Sequence, residues 1–280
     1  GMPKLNLKNP EVEKFFTDVA CYWIKECDID GWRMDVGDEI SHYFWKNFRR
    51  AVKAVKKDML IIGEIWHYAG DFLEGDEWDT VMNYPFYLNL IDLLADEKIT
   101  VSQFVQNLGY LKGRLHKNCY PLMWNLIDSH DTARFLHLCN DNKKKQHLAA
   151  AFQLLLPGMP MIYYGDEYAM PGANDPDCRR GMYWDEEYQD KEMYEWYKRL
   201  IQVRKSHACI VEGELAGSVT EDEEGTIVLI RKNGEETIAM IFNCSSSAKK
   251  FNEYTQKYNL LTENTFDGNV EGFDAAVIVL

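Results

Sequence analysis

The sequence predicts an α/β fold made of parallel βαβ units and closed by a small antiparallel β domain. Three observations carry the prediction. Up to about residue 207, short apolar runs alternate with stretches of helical periodicity, as strands joined by crossover helices do. From about residue 208 the apolar period changes to two, as in GTIVLIRKNGEETIAMIFN, which marks antiparallel strands with one buried face. A chain of 280 residues, 46% of them hydrophobic, can also fill one large α/β unit and a smaller second domain. The boundary is therefore placed between residues 1–207 and 208–280.

Taken in order, Asn9 can cap a helix with Pro10 at its first position, and Val12, Phe15, Phe16, Val19 and Trp23 recur at helical spacing as far as Cys27. After the turn Asp28-Ile29-Asp30 comes a short strand in GWRMD, then a second helix carried by Ile40, Phe44, Phe48, Val52 and Val55. MLIIGEIW, WDTVMNYPF, PLMWNLIDSHD and MPMIYYGDE read as further strands, giving five near 31–36, 59–64, 78–83, 121–127 and 160–164. Helical stretches fall at about 86–113, 142–156 and 191–205, and a loop rich in Pro, Gly and Asp covers about 166–189. In the C-terminal part Asn233-Gly234 marks a hairpin turn, and the acidic run Glu221 to Glu224 reads as a solvated loop tip.

Composition removes several classes of function. Lys and Arg total 31 against 45 Asp and Glu, so the net charge of −14 repels nucleic acid and anionic membranes. No run approaches the roughly 18 apolar residues of a membrane span, and GMPKLNLKNPEVEKFF lacks the layout of a signal peptide. Gly1 before Met2 reads as a tag scar. Seven scattered cysteines without a CxxC pair suit reduced thiols in a cytoplasm, the expected location, and no metal or other cofactor is called for. Aromatic residues make up 13% of the chain, which a well-packed core accounts for without invoking sugar platforms.

The chemistry lies where charges interrupt the apolar strands. Three of the five strands end in ionisable residues at their carboxyl ends: Arg33 and Asp35 on the first, Glu64 on the second, and His130 and Asp131 on the fourth. Carboxyl ends of parallel strands face the ligand crevice, so three carboxylates at such positions are expected to converge on one space. The plainer alternative for each is a structural ion pair: Asp35 with Arg33, Asp131 with Arg134, Glu64 with a neighbour. A carboxylate cluster without a Ser–His dyad, a Cys–His dyad or a phosphate-cradling glycine loop suits acetal hydrolysis. There one carboxylic acid protonates the leaving oxygen and a second carboxylate attacks the anomeric carbon. Arg33, two residues before Asp35 on a strand, points to the same side and can orient it as the nucleophile. Glu64 stands between Gly63 and Ile65, apolar neighbours expected to favour the proton-donating form.

At these residues the chain resembles the α-amylase superfamily of glycoside hydrolases, in particular its neopullulanase, cyclomaltodextrinase and maltogenic amylase group. MPKLN at 2–6, GWRMD at 31–35, GEIWH at 63–67, SHD at 129–131, IYYGDE at 162–167 and DPDCRR at 175–180 carry the resemblance. The carboxylate spacings agree as well, 64 − 35 = 29 and 131 − 35 = 96. The resemblance implies Asp35 as nucleophile, Glu64 as general acid/base and Asp131 as the carboxylate that holds the distorted sugar. It implies that Arg33 and His130 bind around the scissile unit, that Asp175 and Arg179 contact glucose units further away, and that Trp66 and His67 stand on the leaving-group side, wall packing being the equal alternative for Trp66. The reaction implied is retaining hydrolysis of short α-glucans, cyclodextrins or pullulan, with the Asp35 and Glu64 carboxyls roughly 5 to 5.5 Å apart.

The same resemblance makes residues 1–207 a partial TIM (β/α)8 barrel, the equivalents of strands 4–8, followed by the C-terminal antiparallel β domain. Strands 1–3 of the family barrel have no counterpart in the sequence, nor has the family's Asp-x-x-x-Asn-His stretch. Asp38 stands where the group usually has Asn, and Asp128 where it usually has Gly. Five strands cannot close a barrel, so the open edges call for cover, either by self-association or by a separate N-terminal half. The alternative to an enzyme is a catalytically inactive half barrel that binds glucan weakly or serves in assembly, and little activity is expected of the chain on its own.

Overall fold

A computed structural model describes residues 3–280, so Gly1, and Met2 of the MPKLN segment, lie outside the described residues. The chain divides into two compact units, Gly1–Pro85 with Leu111–Trp124, and Phe86–Tyr110 with Asn125–Leu280.

The first unit begins with helix α1 (Pro10–Cys27), whose cap is the one expected: the Asn9 side chain accepts from the Glu11 N–H at 2.9 Å. Asp28, in the left-handed region at φ 49°, ends it. Only part of the predicted apolar face is covered. Val12, Phe16 and Val19 are half-buried, whereas Phe15 and Trp23 remain exposed because no described element packs over them; the buried residues are Ala20 and Ile24, which the predicted set did not include. Strand β1 (Gly31–Met34), helix α2 (His42–Val55, capped by Ser41) and strand β2 (Leu60–Gly63) follow, then a short β3 (Thr80–Val81). The three strands are parallel in the order β1-β2-β3, with Met34 opposite Gly63 and Gly63 opposite Val81. This is the βαβ arrangement that the alternating pattern predicts.

A core of Phe44, Trp45, Phe48, Val52, Met59 and Ile61 lies between α2 and the sheet. Trp78 fills its upper end, fully buried and stacked on Phe72 at 4.2 Å. The indole lies where side chains of Gly37 and Gly63 would be, since a Cβ on Gly63 would come within 2.2 Å of Trp78 Cε3 and one on Gly37 within 2.6 Å of Cζ2. Glycine at these two points is therefore a packing requirement.

Helices α3 (Tyr84–Leu90) and α4 (Val101–Arg114) run across the division between the units. Strand β4 is only Trp124–Asn125 and β5 only Met159–Pro160, so the predicted strands at 78–83, 121–127 and 160–164 are all shorter than their apolar runs. Residues 120–122 form a turn containing Pro121, which cannot donate to a strand ladder. The Met161 N–H nevertheless donates to the Asn125 carbonyl at 2.8 Å, linking the segments that flank the later site residues.

The second unit holds α5 (Phe135–Leu138), α6 (Lys143–Leu155), α7 (Lys191–Ser206) and α8 (Ala208–Glu212). Its strands are β6 (Glu214–Glu221), β7 (Thr226–Asn233), β8 (Glu236–Asn243), β9 (Lys249–Lys250), β10 (Tyr258–Asn259), β11 (Asn264–Thr265), β12 (Asn269–Val270) and β13 (Asp274–Val279). Six of them form a sheet in the order β11-β10-β13-β8-β7-β6, antiparallel as the period of two predicts, and β12 pairs with β9. The β7–β8 hairpin turns at Gly234-Glu235, one residue later than expected, with Gly234 at φ 59° and Asn233 still paired to Glu236. The acidic run is tied down: Asp222 accepts from the Ser102 N–H and Glu224 pairs with Lys249.

Helix α6 is buried along most of its length, and its Phe152 stacks on Phe242 of β8 at 4.3 Å. One core thus joins α6, α7 and the sheet, and the position 207/208 falls inside this unit. The packing in the first unit gives a direct test. Gly63→Ala, which sets a methyl against a rigid buried indole, is expected to lower stability by about 3 kcal/mol in urea unfolding.

Candidate active site

In the first unit three of the predicted residues gather where β1 and β2 end. Arg33 lies on β1, Asp35 directly beyond it, and Glu64 directly beyond β2. The parallel register brings these ends together, and the Glu64 N–H donates to the Met34 carbonyl at 2.9 Å. Arg33 Nη1 donates to Asp35 Oδ1 at 2.5 Å, while its Nη2 forms an ion pair with Glu64 Oε1 at 3.0 Å without the alignment of a hydrogen bond. One guanidinium therefore contacts both carboxylates, so the ion pair offered as the plainer reading of Asp35 extends to Glu64. The two acids differ in exposure. Glu64 is 4% exposed, whereas the Asp35 side chain is 76% exposed.

Glu64 is not surrounded by apolar groups, as its neighbours Gly63 and Ile65 suggested. Its Oε2 accepts from the Val36 N–H at 2.8 Å and its Oε1 from Trp66 Nε1 at 3.3 Å, in addition to the Arg33 contact. A strand turns its odd and even residues to opposite faces, so the sequence neighbours of a buried side chain need not be its spatial ones. Trp66 stacks on Tyr84 at 4.4 Å, nearly parallel, with the rest of its surface partly exposed. It is both wall packing and a donor to Glu64. His67 Nε2 stands 3.9 Å from Asp38 Oδ2 and is largely exposed.

The second unit holds the other predicted residues. His130 and Asp131 lie in the loop between β4 and α5, beyond the strand end where the sequence placed them. Asp131 is held from three sides: Arg179 Nη2 donates to Oδ1 at 2.9 Å, His130 Nε2 lies 3.0 Å from Oδ2, and the Asp131 N–H donates to Ser129 Oγ at 3.2 Å. Arg179 also forms an ion pair through Nε with Asp175 Oδ1 at 2.8 Å. Cys178 Sγ donates to the His130 carbonyl at 3.3 Å and so joins the two loops. The pairing of Asp131 with Arg134 offered as the plainer alternative does not form, because Arg134 turns inward to Asp166.

Val36 was missed by sequence reasoning. It adopts φ 43° and ψ 47°, a left-handed conformation that is a real outlier for a β-branched residue. That conformation follows Asp35 directly and points the Val36 N–H at Glu64. No residue pattern announces it, since valine is the opposite of what such a turn selects. The strain costs of order 1–3 kcal/mol, and glycine gives back roughly 0.5–1 through unfolded-state entropy. Val36 is partly exposed, so Val36→Gly is expected to raise stability by about 1 kcal/mol in chemical denaturation.

The catalytic-domain family described as "Alpha amylase, catalytic domain" matches residues 1–189. A cyclomaltodextrinase of Geobacillus thermopakistaniensis is 46% identical over 88% of this chain, which covers 42% of that protein. An intracellular maltogenic amylase of Bacillus subtilis is 43% identical over 86% of the chain and 41% of its own length. Among solved structures, a cyclomaltodextrinase superposes with a TM-score of 0.93 at 35% identity over 99% of this chain and 50% of that one. The cyclic α-maltosyl-(1→6)-maltose hydrolase of Arthrobacter globiformis superposes with a TM-score of 0.88 at 32% identity, over 99% and 61% of the two chains. The chain thus spans about half the length of the proteins it matches. With the family matched over more than half of its residues, and relatives above 40% identity over most of it, the chain belongs to the α-amylase family of glycoside hydrolases, whose TIM-barrel fold it shares.

Proposed function

We propose that residues 1–207 form the strand 4–8 part of an α-amylase-type barrel, that residues 208–280 form its C-terminal β domain, and that the chain serves retaining hydrolysis of short α-glucans. The substrates meant are cyclodextrins, pullulan or maltooligosaccharides with α-1,4 or α-1,6 bonds. The observation that carries this reading is the single guanidinium of Arg33 on both Asp35 and Glu64. A retaining glycosidase needs two carboxyl groups fixed relative to each other across one bond, and a shared cation at the end of paired strands is a rigid way to fix them.

In this reading Glu64 gives its proton to the glycosidic oxygen while Asp35 Oδ attacks the anomeric carbon, and the C–O bond to the leaving sugar breaks. Glu64, now ionised, takes a proton from water, and the water oxygen displaces Asp35 from the glycosyl ester. The Val36 and Trp66 N–H donors match that ionised state. Asp131, oriented by Arg179 and His130, offers a fixed acceptor for sugar hydroxyls, and Asp175 and Arg179 contact a more distant unit. Trp66 presents an aromatic surface beside the acid, with His67 at the rim.

A second reading, glucan binding without turnover, is favoured by the Asp35 side chain, which is 76% exposed. A nucleophile left in water loses much of the preorganisation that speeds attack. The two readings are separated by assaying release of reducing sugar from β-cyclodextrin and maltooligosaccharides and by titrating binding calorimetrically. The enzyme reading expects turnover that falls on the order of a thousandfold or more in both Asp35→Asn and Glu64→Gln. Binding without turnover, or turnover unchanged in Asp35→Asn, refutes it.

Self-association belongs to the same proposal. The outer edge of β1 has no strand partner among the described residues, and beside it a groove of about 570 Å³ is lined by Phe16, Trp32, Met34 and Phe44. An apolar groove at an open strand edge favours cover by a second copy. Multi-angle light scattering should return a dimer or larger species at micromolar concentration, and a stable monomer throughout would remove this part of the proposal.

A further inference from the structure

Three charged side chains meet inside the second unit with essentially no exposure: Asp128, Arg134 and Asp166. Arg134 Nη1 donates to Asp166 Oδ1 at 3.1 Å. Asp128 Oδ1 accepts from the Phe135 N–H at 2.5 Å and so caps the start of α5. The outer oxygens, Asp128 Oδ2 and Asp166 Oδ2, are buried and receive no donor, although the two carboxyl groups interact directly with each other. Arg134 does not supply the missing donor. Its Nε and Nη2 find no acceptor, and its guanidinium lies over the rings of Tyr163 and Tyr164.

Ionised carboxylates only accept, so two of them in contact cannot bond to each other and they repel. With one arginine among them, two ionised aspartates would leave a buried charge uncompensated. One proton between the outer oxygens satisfies both acceptors and makes the cluster neutral. We propose that Asp128 and Asp166 share a single proton, and that this shared proton holds the loop carrying His130 and Asp131.

The loop depends on the pair through short connections. Asp128 begins it and caps α5, the Ser129 N–H donates to Thr132 Oγ1 at 3.2 Å, and the Arg134 N–H donates to the Gly172 carbonyl at 2.9 Å. Arg134 brings positive charge to the pair, and Glu167, in the turn after β5, brings like charge to Asp166. The Tyr197 hydroxyl approaches from α7, and Cys139, at the end of α5, is affected by Asp128; burial keeps both of these groups neutral. Gln146 of α6 donates to the Asp166 carbonyl at 3.0 Å. Burial moves Asp166 up to about 7 and Asp128 well above the usual carboxylate range.

The pH dependence follows. An aspartate whose folded value lies above its unfolded value of about 4 contributes stability that is complete below about pH 4 and is lost as pH rises through about 7. Asp128→Asn keeps the size, can accept from the Phe135 N–H and can donate to Asp166 Oδ2, yet does not titrate. The parent is expected to lose roughly 3 °C or more of melting temperature, relative to Asp128→Asn, between pH 5 and pH 8. Parallel curves would overturn the proposal. Should Asp128→Asn fail to fold, infrared spectra of the full chain in D2O decide it, taken in a Glu64→Gln background so that the proposed acid does not contribute. A protonated-carboxyl band at pH 6 that disappears in Asp166→Asn is the expected result, and no such band at pH 6 overturns it. Neither measurement uses glucan turnover, so the outcome is separate from that of the proposed hydrolysis.

Discussion

A buried carboxylate must find donors, and much of the first unit can be understood from how Glu64 finds them. Arg33 comes from the neighbouring strand, Val36 from the turn that strand enters, and Trp66 from two residues further along. Each of these positions depends on β1 and β2 running parallel in one register, because a shift of one residue would turn Arg33 to the opposite face. The strained Val36 is then a consequence: the chain leaves β1 through a left-handed residue because that conformation supplies a donor to a group that would otherwise be buried with fewer partners.

Beneath these polar contacts lies a rigid apolar support. Trp78 occupies the space that Gly37 and Gly63 leave open, and these glycines flank Asp35 and Glu64 closely in sequence. The Gly37 N–H donates to the Glu64 carbonyl at 3.1 Å, so backbone pairing continues past the strand ends and up to the carboxylates themselves. Trp45 adds a further tie through its Nε1 donor to the Gly37 carbonyl at 2.9 Å. Side chains held this way lose little entropy on meeting a ligand, and that favours fixed geometry over adaptability.

The second unit solves a similar problem differently. Asp131 stays partly exposed and takes its orientation from Arg179 and His130, whereas three residues earlier Asp128 is fully enclosed with Arg134 and Asp166. The exposed acid is matched by one cation, Arg179, from a neighbouring loop; the enclosed acids outnumber theirs. Only two residues separate the enclosed Asp128 from the outward-facing Asp131.

Much of this was legible in the sequence. Alternating apolar runs predict the parallel βαβ part, period two predicts the C-terminal sheet, and the Asn9 cap stands where it was expected. The charges in GWRMD and GEIWH meet in the structure, because a charged residue in an apolar strand is costly unless something pairs with it. Strand lengths were overestimated at 78–83, 121–127 and 160–164, since apolar runs report burial and burial continues past the last ladder hydrogen bond. The sequence by itself determined which residues are apolar, which are ionisable and in what order they come, and hence the family. Only the tertiary structure decided their partners: that Arg33 serves two carboxylates, that Arg134 turns away from Asp131 to Asp166, and that Asp128 meets another acid. Ion pairs form between groups far apart in the chain, and which of several candidates meet depends on strand register and loop path, to which local periodicity is blind.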